Sequence, residues 1–415
     1  MKKMKKVLCL IMTLCVLVAS MSACGTKDDS KDSTDNSNTG DAGSATDTPD
    51  NQDDANADTG AKFYIGGIGP VTGGAAVYGQ NVQNGAELAV KEINAAGGIN
   101  GSQIEFKFED DEHDAEKSVN AYNTLKDWGM QILMGTVTSN PCKAVKDKTF
   151  EDSMFELTPS ASSLDVLGNG NVFQVCFTDP NQGIASAQYI GQKGIAKKVA
   201  VIYDSSDVYS SGIYAKFAEE AKNQNIEVVA AEAFTADSKS DFSVQIQKAK
   251  DSGAELVFLP IYYQEATLIL KQAADIGYKP IFFGCDGLDG ILGVENFDTS
   301  LAEDVMLLTP FAADASDEKT QKFVTDFKAA YKAAVPNQFA ADAYDAIYII
   351  KAAIEKAGAT PDMSTKDICE ALKKAMVEIQ VDGLTGAGMT WAATGEVNKA
   401  PRAIVIKDGA YVSAE

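Results

Sequence analysis

The chain has 415 residues, enough for more than one hydrophobic core, and carries 59 Asp and Glu against 36 Lys and Arg, a formal net charge of −23. That balance argues against nucleic acid as a partner. A single histidine, His113, and a single arginine, Arg402, leave little material for histidine-based catalysis or a multi-histidine metal site, so no enzyme, metal or cofactor is expected.

The first six residues, MKKMKK, hold four lysines, and the run VLCLIMTLCVLVASMSA that follows has no charge. Residues 1–23 read as a secretory signal. Ser22-Ala23-Cys24, after Met21, resembles the lipobox of bacterial lipoproteins, which implies cleavage before Cys24 and a lipid on its thiol. From Gly25 to Gly60 the chain is mostly Asp, Asn, Ser, Thr, Gly and Ala, too polar to offset the entropy of ordering. Residues 24–61 are therefore expected to form a flexible acidic tether that holds the protein on the outer face of the cell membrane without spanning it. Loss of residues 1–23 leaves 32 basic residues against 59 acidic ones, a formal charge of −27. Cys9 and Cys15 leave with the signal. Cys142, Cys176, Cys285 and Cys369 stand at wide, unpatterned spacings and read as small buried apolar residues.

The body alternates strand and helix. KFYIGGI (62–68) is a strand, the segment after GPVTGG places Val82, Ala86, Ala89, Val90 and Ile93 on one helical face, and IEFKFEDDE (104–112) is the next strand. A helix with Val119, Tyr122, Leu125 and Trp128 leads to MQILMGT (130–136), a short helix near Cys142 to Glu151, and MFELTP (154–159). The pattern restarts at KKVAVIYDSS (197–206) and runs through IEVVAAEAF, ELVFLPIYY (255–263) and PIFFGCDG (280–287), with helices between. VMLLTPF (305–311) is followed by three helical segments, over 318–334, 338–357 and 365–379, and then by short β structure. This is an α/β chain with two parallel layers. Helices that follow the second layer without strands of their own pack most simply on the first, so the chain crosses between lobes more than once and forms a hinge.

Sites that would dictate other chemistry are missing: no phosphate loop, no nucleophile elbow, and Thr72 where a dinucleotide fingerprint would place its third glycine. The acidic run EDDEHD (109–114) reads as a solvated strand end, which places His113 away from the cleft. What remains is a set of residues just after strands, where open α/β sheets bind ligands: Ser139, Ser160, Ser162, Tyr209, Tyr262, Tyr263 and Asp286. Hydroxyls and free N–H groups suit a carboxylate, and Asp286 suits an ammonium, so a zwitterion fits. Within ELTPSASS, Thr158 and Ser163 read as local capping hydroxyls.

The segments IGGIGPVTGGAAVYGQNVQNGAELAVKEINAAGGINGSQIEF, LTPSASS, AVIYDSSDVYSSG and FFGCDG resemble the solute-binding proteins of branched-chain amino-acid ABC transporters, the Leu/Ile/Val-binding type, over nearly all of 62–415. The resemblance implies a two-lobed type I periplasmic-binding fold, each lobe a parallel sheet flanked by helices. Lobe 1 is expected over 62–179 and 310–383, lobe 2 over 180–309 and 384–415. It also implies roles: Ser139 on the ligand carboxylate, Ser160, Ala161 and Ser162 supplying backbone and hydroxyl contacts to both charged ends, and Asp286 on the ammonium. Tyr78 falls at the cleft mouth, Tyr209 closes from lobe 2, and Tyr262 walls the pocket, with Tyr263 and Phe339 adding to selectivity.

Three places depart from the family pattern. Its frequent disulfide would join regions near His113 and Thr138, which hold no cysteine; the acid is Asp286 rather than a longer Glu; and Tyr209 lies in DVYSSG rather than D-x-x-Y-G-x-G. The expected function is an extracytoplasmic solute-binding lipoprotein that captures a small amino acid and delivers it, as a monomer, to ABC permease subunits. The alternatives are an extracellular sensor and a binder of an amide, urea-like or aromatic solute.

Overall fold

The computed structural model describes residues 60–332 and 334–414. The signal, Cys24 and most of the tether lie outside them. The first sheet holds β1 (Phe63–Gly69), β2 (Ile104–Asp110), β3 (Ile132–Gly135), β4 (Phe155–Thr158) and β5 (Val172–Gln174) in the order β2-β1-β3-β4-β5, all parallel. The second holds β6 (Lys198–Asp204), β7 (Glu227–Phe234), β8 (Leu256–Leu259), β9 (Ile281–Gly284), β10 (Met306–Thr309), β11 (Arg402–Lys407) and β12 (Ala410–Ser413), in the order β12-β11-β10-β9-β8-β6-β7. Its first five strands are parallel, and β11 and β12 add antiparallel at one edge.

The central strands ILMG, FELT and LVFL are buried at every position, as strands covered on both faces must be. Helices α1 (Ala76–Ala95), α2 (Ala115–Trp128), α3 (Ser139–Glu151), α8 (Glu318–Ala330), α9 (Gln338–Ala357) and α10 (Thr365–Met376) belong to the first lobe. Helices α4 (Asp179–Lys193), α5 (Val208–Asn223), α6 (Ser243–Asp251) and α7 (Tyr263–Asp275) cover the second. α1 and α9 pack closely because Gly85 lacks a side chain; a Cβ there would stand 2.1 Å from the Ala340 carbonyl oxygen.

Two elements escaped the sequence reading. β5 is only three residues long, and α4 opens with Asp179-Pro180 and carries Gly183, which breaks its apolar stripe. The third crossing also comes later than expected. Residues 384–399 stay on the first lobe: Trp391 Nε1 donates to the Gln174 carbonyl at 2.8 Å, Gln174 N donates to the Gly395 carbonyl at 3.0 Å, and Leu384 N and Thr385 N donate to Asp345. The cause is apolar: Met389 and Trp391 are buried in that core, and the chain joins the second sheet only at Arg402. Beside this crossing lies a buried ion pair, Lys399 Nζ to Asp342 Oδ1 at 2.7 Å, with Lys399 also donating to Thr385 Oγ1 and the Val175 carbonyl. It ties two crossing segments to α9.

Candidate functional site

The carboxyl ends of both sheets face one cleft. Between the lobes lies a small cavity of about 10 Å³, roughly the space of one water and less than an amino acid fills. The first lobe lines it with Tyr78, Val137, Thr138, Ser139, Ser160 and Phe339, and the second with Tyr209, Tyr262, Asp286 and Gly287. Six of the residues singled out from sequence therefore meet here, together with Phe339.

Ser139 opens α3. Thr138 at the N-cap makes no side-chain cap and Pro141 has no N–H, so the N–H groups of Ser139 and Asn140 are available to an anion at a helix start. Ser139 Oγ accepts from Ser163 N at 3.3 Å and keeps its proton for another acceptor. Ser160 Oγ donates to the Val137 carbonyl at 2.7 Å and keeps its lone pairs.

Ala161 and Ser162 do not line the cavity. The Ala161 carbonyl accepts from Gln174 Nε2 at 2.7 Å, and the Ser162 carbonyl accepts from Asp179 N at 3.0 Å. The Ser162 hydroxyl faces the Asp179 carboxyl, whose pKa burial raises well above the usual range while Ser162 lowers it. These two residues shape the loop behind the wall. Thr158 and Ser163 do cap locally, accepting from Ala161 N and Asp165 N.

Asp286 is 2 % exposed and begins a one-turn 3₁₀ helix, Asp286–Leu288. Burial raises its pKa to about 6, opposed by the hydrogen bond from the Tyr209 hydroxyl and by the nearby Gln182 and Gln338 side chains. Tyr209 Oη donates to Asp286 Oδ1 and accepts from Gly287 N, and its ring stacks on Tyr262 with centroids 5.0 Å apart and planes 8° from parallel. Its hydroxyl is thus committed to the Asp286 turn. Tyr78 Oη is committed too: it donates across the cleft to the Gly287 carbonyl and accepts from Tyr263 N at 3.1 Å. The rings of Tyr78, Tyr262 and Phe339 pack together, Tyr78 to Phe339 at 4.4 Å and to Tyr262 at 5.7 Å, and give the cavity its apolar side.

His113 is not remote from the cleft. Its ring meets Tyr262 edge-on at 5.2 Å, and Nδ1 lies 2.8 Å from Thr138 Oγ1. A hydrogen bond thus joins the two regions where the family's disulfide was expected to be missing. Burial, and next the Lys239 ammonium, lower its pKa to about 4. The four described cysteines are buried and free. Sequence reading missed Val137, Thr138 and Gly287 in the wall, and Asp207, whose Oδ2 accepts from Asn140 Nδ2 at 3.3 Å across the cleft. Asp207 stands at a detectable helix start, capping Tyr209 N and Ser210 N, but nothing local shows what its second oxygen faces.

A family profile described as periplasmic binding protein matches residues 62–410. The chain is 32 % identical over 365 residues to Leu/Ile/Val-binding protein homolog 3 of Brucella melitensis, covering 86 % of this chain and 94 % of that one. It is 31 % identical over 312 residues to the leucine-, isoleucine-, valine-, threonine-, and alanine-binding protein of Pseudomonas aeruginosa, covering 74 % and 80 %. Among solved structures, the branched-chain amino acid transporter substrate binding protein of Streptococcus pneumoniae in complex with isoleucine is similar with a TM-score of 0.77 and 28 % identity, covering 85 % of this chain and 99 % of that one.

Proposed function

Because the chain belongs to the periplasmic binding protein family, we propose that it is an extracytoplasmic amino-acid-binding protein that serves an ABC importer. One observation carries this reading: a helix start with free N–H groups and a serine hydroxyl opens onto the same cavity as a buried carboxylate from the other lobe. The ligand carboxylate sits on Ser139 and the start of α3, the ammonium on Asp286 and the Ser160 oxygen, and the side chain against Tyr78, Tyr262, Phe339 and Val137. An aliphatic side chain of the branched type suits that aromatic wall. Binding from both lobes favours the closed form, and the amino acid shifts the equilibrium towards it only through contacts the open form lacks.

The N-terminal signal and Cys24 supply the address: a lipid on Cys24 and an acidic tether that leaves the lobes free to meet permease subunits, with the protein acting as a monomer. Mass spectrometry of the N-terminal peptide tests the lipid. For the ligand, the purified protein is titrated calorimetrically with the common amino acids and with aromatic acids. Heat from leucine, isoleucine or valine supports the proposal; heat from aromatic acids alone contradicts it.

A further inference from the structure

The one-turn helix that presents Asp286 also presents Asp289. Asp289 N donates to the Asp286 carbonyl at 2.9 Å, and in a 3₁₀ turn residues three apart lie on one side. Asp289 is 3 % exposed, and its Oδ2 accepts from Gln338 N at 2.8 Å, the first residue of α9 on the opposite lobe. The next residue, Phe339, is a wall of the cavity, and the Gln338 side chain lies beside the Asp286 carboxylate. Between Asp286 and Asp289, Gly287 offers its carbonyl to Tyr78 of the first lobe.

The other first-lobe helix starts at the cleft show the same dependence. α9 has a cap of its own at its third position, Asn337 Oδ1 accepting from Ala340 N at 3.3 Å, whereas α1 and α3 have no side-chain caps. Tyr263 Oη of the second lobe accepts from Val77 N of α1 at 3.1 Å, and Asp207 meets Asn140 of α3. Helix starts leave N–H groups that need acceptors, and here the opposite lobe supplies them to Val77 N and Gln338 N, while Asp207 holds only the Asn140 side chain.

We infer that Asp289 is a positioning residue for ligand capture: it caps α9 across the cleft and so locks Phe339 and Gln338 over the turn that holds the ligand's ammonium. Asp286 and Asp289 divide one turn into a ligand end and a latch end. A ligand that seats the turn seats the latch, and losing the latch frees the ligand by letting α9 withdraw.

This rests on the proposed amino-acid site, so two measurements separate the claims. Stopped-flow binding of isoleucine is compared in the wild type, Asp289→Ala, Asp289→Ser and Asp289→Asn. The expected result is about tenfold or greater loss of affinity in the alanine and serine variants, mostly as faster dissociation, with Asp289→Asn retaining affinity within about threefold because its carbonyl still accepts. Hydrogen exchange of the segment 337–343 without any amino acid then tests the latch alone. About tenfold faster exchange is expected in the truncated variants and little change in Asp289→Asn. Unchanged exchange in whichever truncated variant folds, or an asparagine variant as impaired as alanine, overturns the inference. Failure of the wild type to bind isoleucine, with exchange responding as expected, overturns the ligand reading instead.

Discussion

Tyr209 Oη donates to Asp286 Oδ1 at 2.8 Å and accepts from Gly287 N at 2.9 Å, so one hydroxyl fixes both the acid of the cleft and the backbone that follows it. The pair is buried, and the hydroxyl opposes the rise that burial imposes on the Asp286 pKa. Tyr209→Phe keeps the stack on Tyr262 and removes both bonds. We expect a loss of about 1–3 kcal/mol in ligand affinity, larger at pH 5.5 than at pH 8 because Asp286 protonates more readily. Calorimetric titration at the two pH values checks this.

Asp286→Ala leaves a buried ammonium without a counter-charge and should cost several kcal/mol of affinity. Ser139→Ala removes a donor to the carboxylate and should cost about 1–3 kcal/mol. Equal affinities in wild type and Asp286→Ala would show that the ammonium lies elsewhere.

Tyr78→Phe keeps the aromatic packing on Tyr262, Tyr263 and Phe339 but leaves the Gly287 carbonyl and Tyr263 N without their partner across the cleft. The closed form is weakened, so dissociation should quicken more than association slows. Stopped-flow fluorescence separates the two rates, and the same dissociation rate as wild type would remove Tyr78 from the closure mechanism.

His113 gives closure a pH dependence of fixed sign. In the closed cleft burial, and next the Lys239 ammonium, lower the imidazole from its ordinary value near 6.5 to about 4. The closed form therefore favours the neutral ring: its advantage is complete above about pH 6.5 and declines as pH falls towards 4. Asp286, raised to about 6, acts in the same direction because the ammonium needs it charged, whereas Asp207 and Asp289, raised to about 6 and about 7, act in the opposite one. The affinity ratio of wild type to His113→Gln isolates the histidine. It should be flat above pH 7 and fall between pH 6.5 and 4.5; a ratio constant across that range would exclude the effect.

The Lys399–Asp342 pair holds the last crossing against α9 inside the protein. Lys399→Met strands a buried carboxylate and should destabilise the protein by about 3–5 kcal/mol, while Lys399→Met with Asp342→Asn should recover part of that loss. Denaturant unfolding of the three proteins measures both terms.

The alternation of apolar strands and amphipathic helices was legible because buried parallel strands read as short hydrophobic runs, as in ILMG and LVFL. Positions just after those strands then pointed to Ser139, Ser160, Tyr209, Tyr262 and Asp286 without knowledge of the third dimension. Distant pairings were not legible. Nothing near Asp207 or Asp289 signals that each faces a helix start on the other lobe, and Lys399 looks like an ordinary surface lysine until Asp342, 57 residues earlier, is folded beside it. The polar run TPSASS divided by geometry: Ser160 reaches the wall, while Ser162, two residues on, turns to Asp179. His113 was misplaced for the same reason, since its acidic neighbours describe the strand end and not the lobe it meets.

The most direct test of the account is a calorimetric titration of the wild type and Asp286→Ala with leucine, isoleucine and valine at pH 7.5. The account predicts saturable heat from at least one of the three in the wild type and a loss of several kcal/mol in the variant. No heat from any of them in the wild type, or identical isotherms in the two proteins, would contradict it.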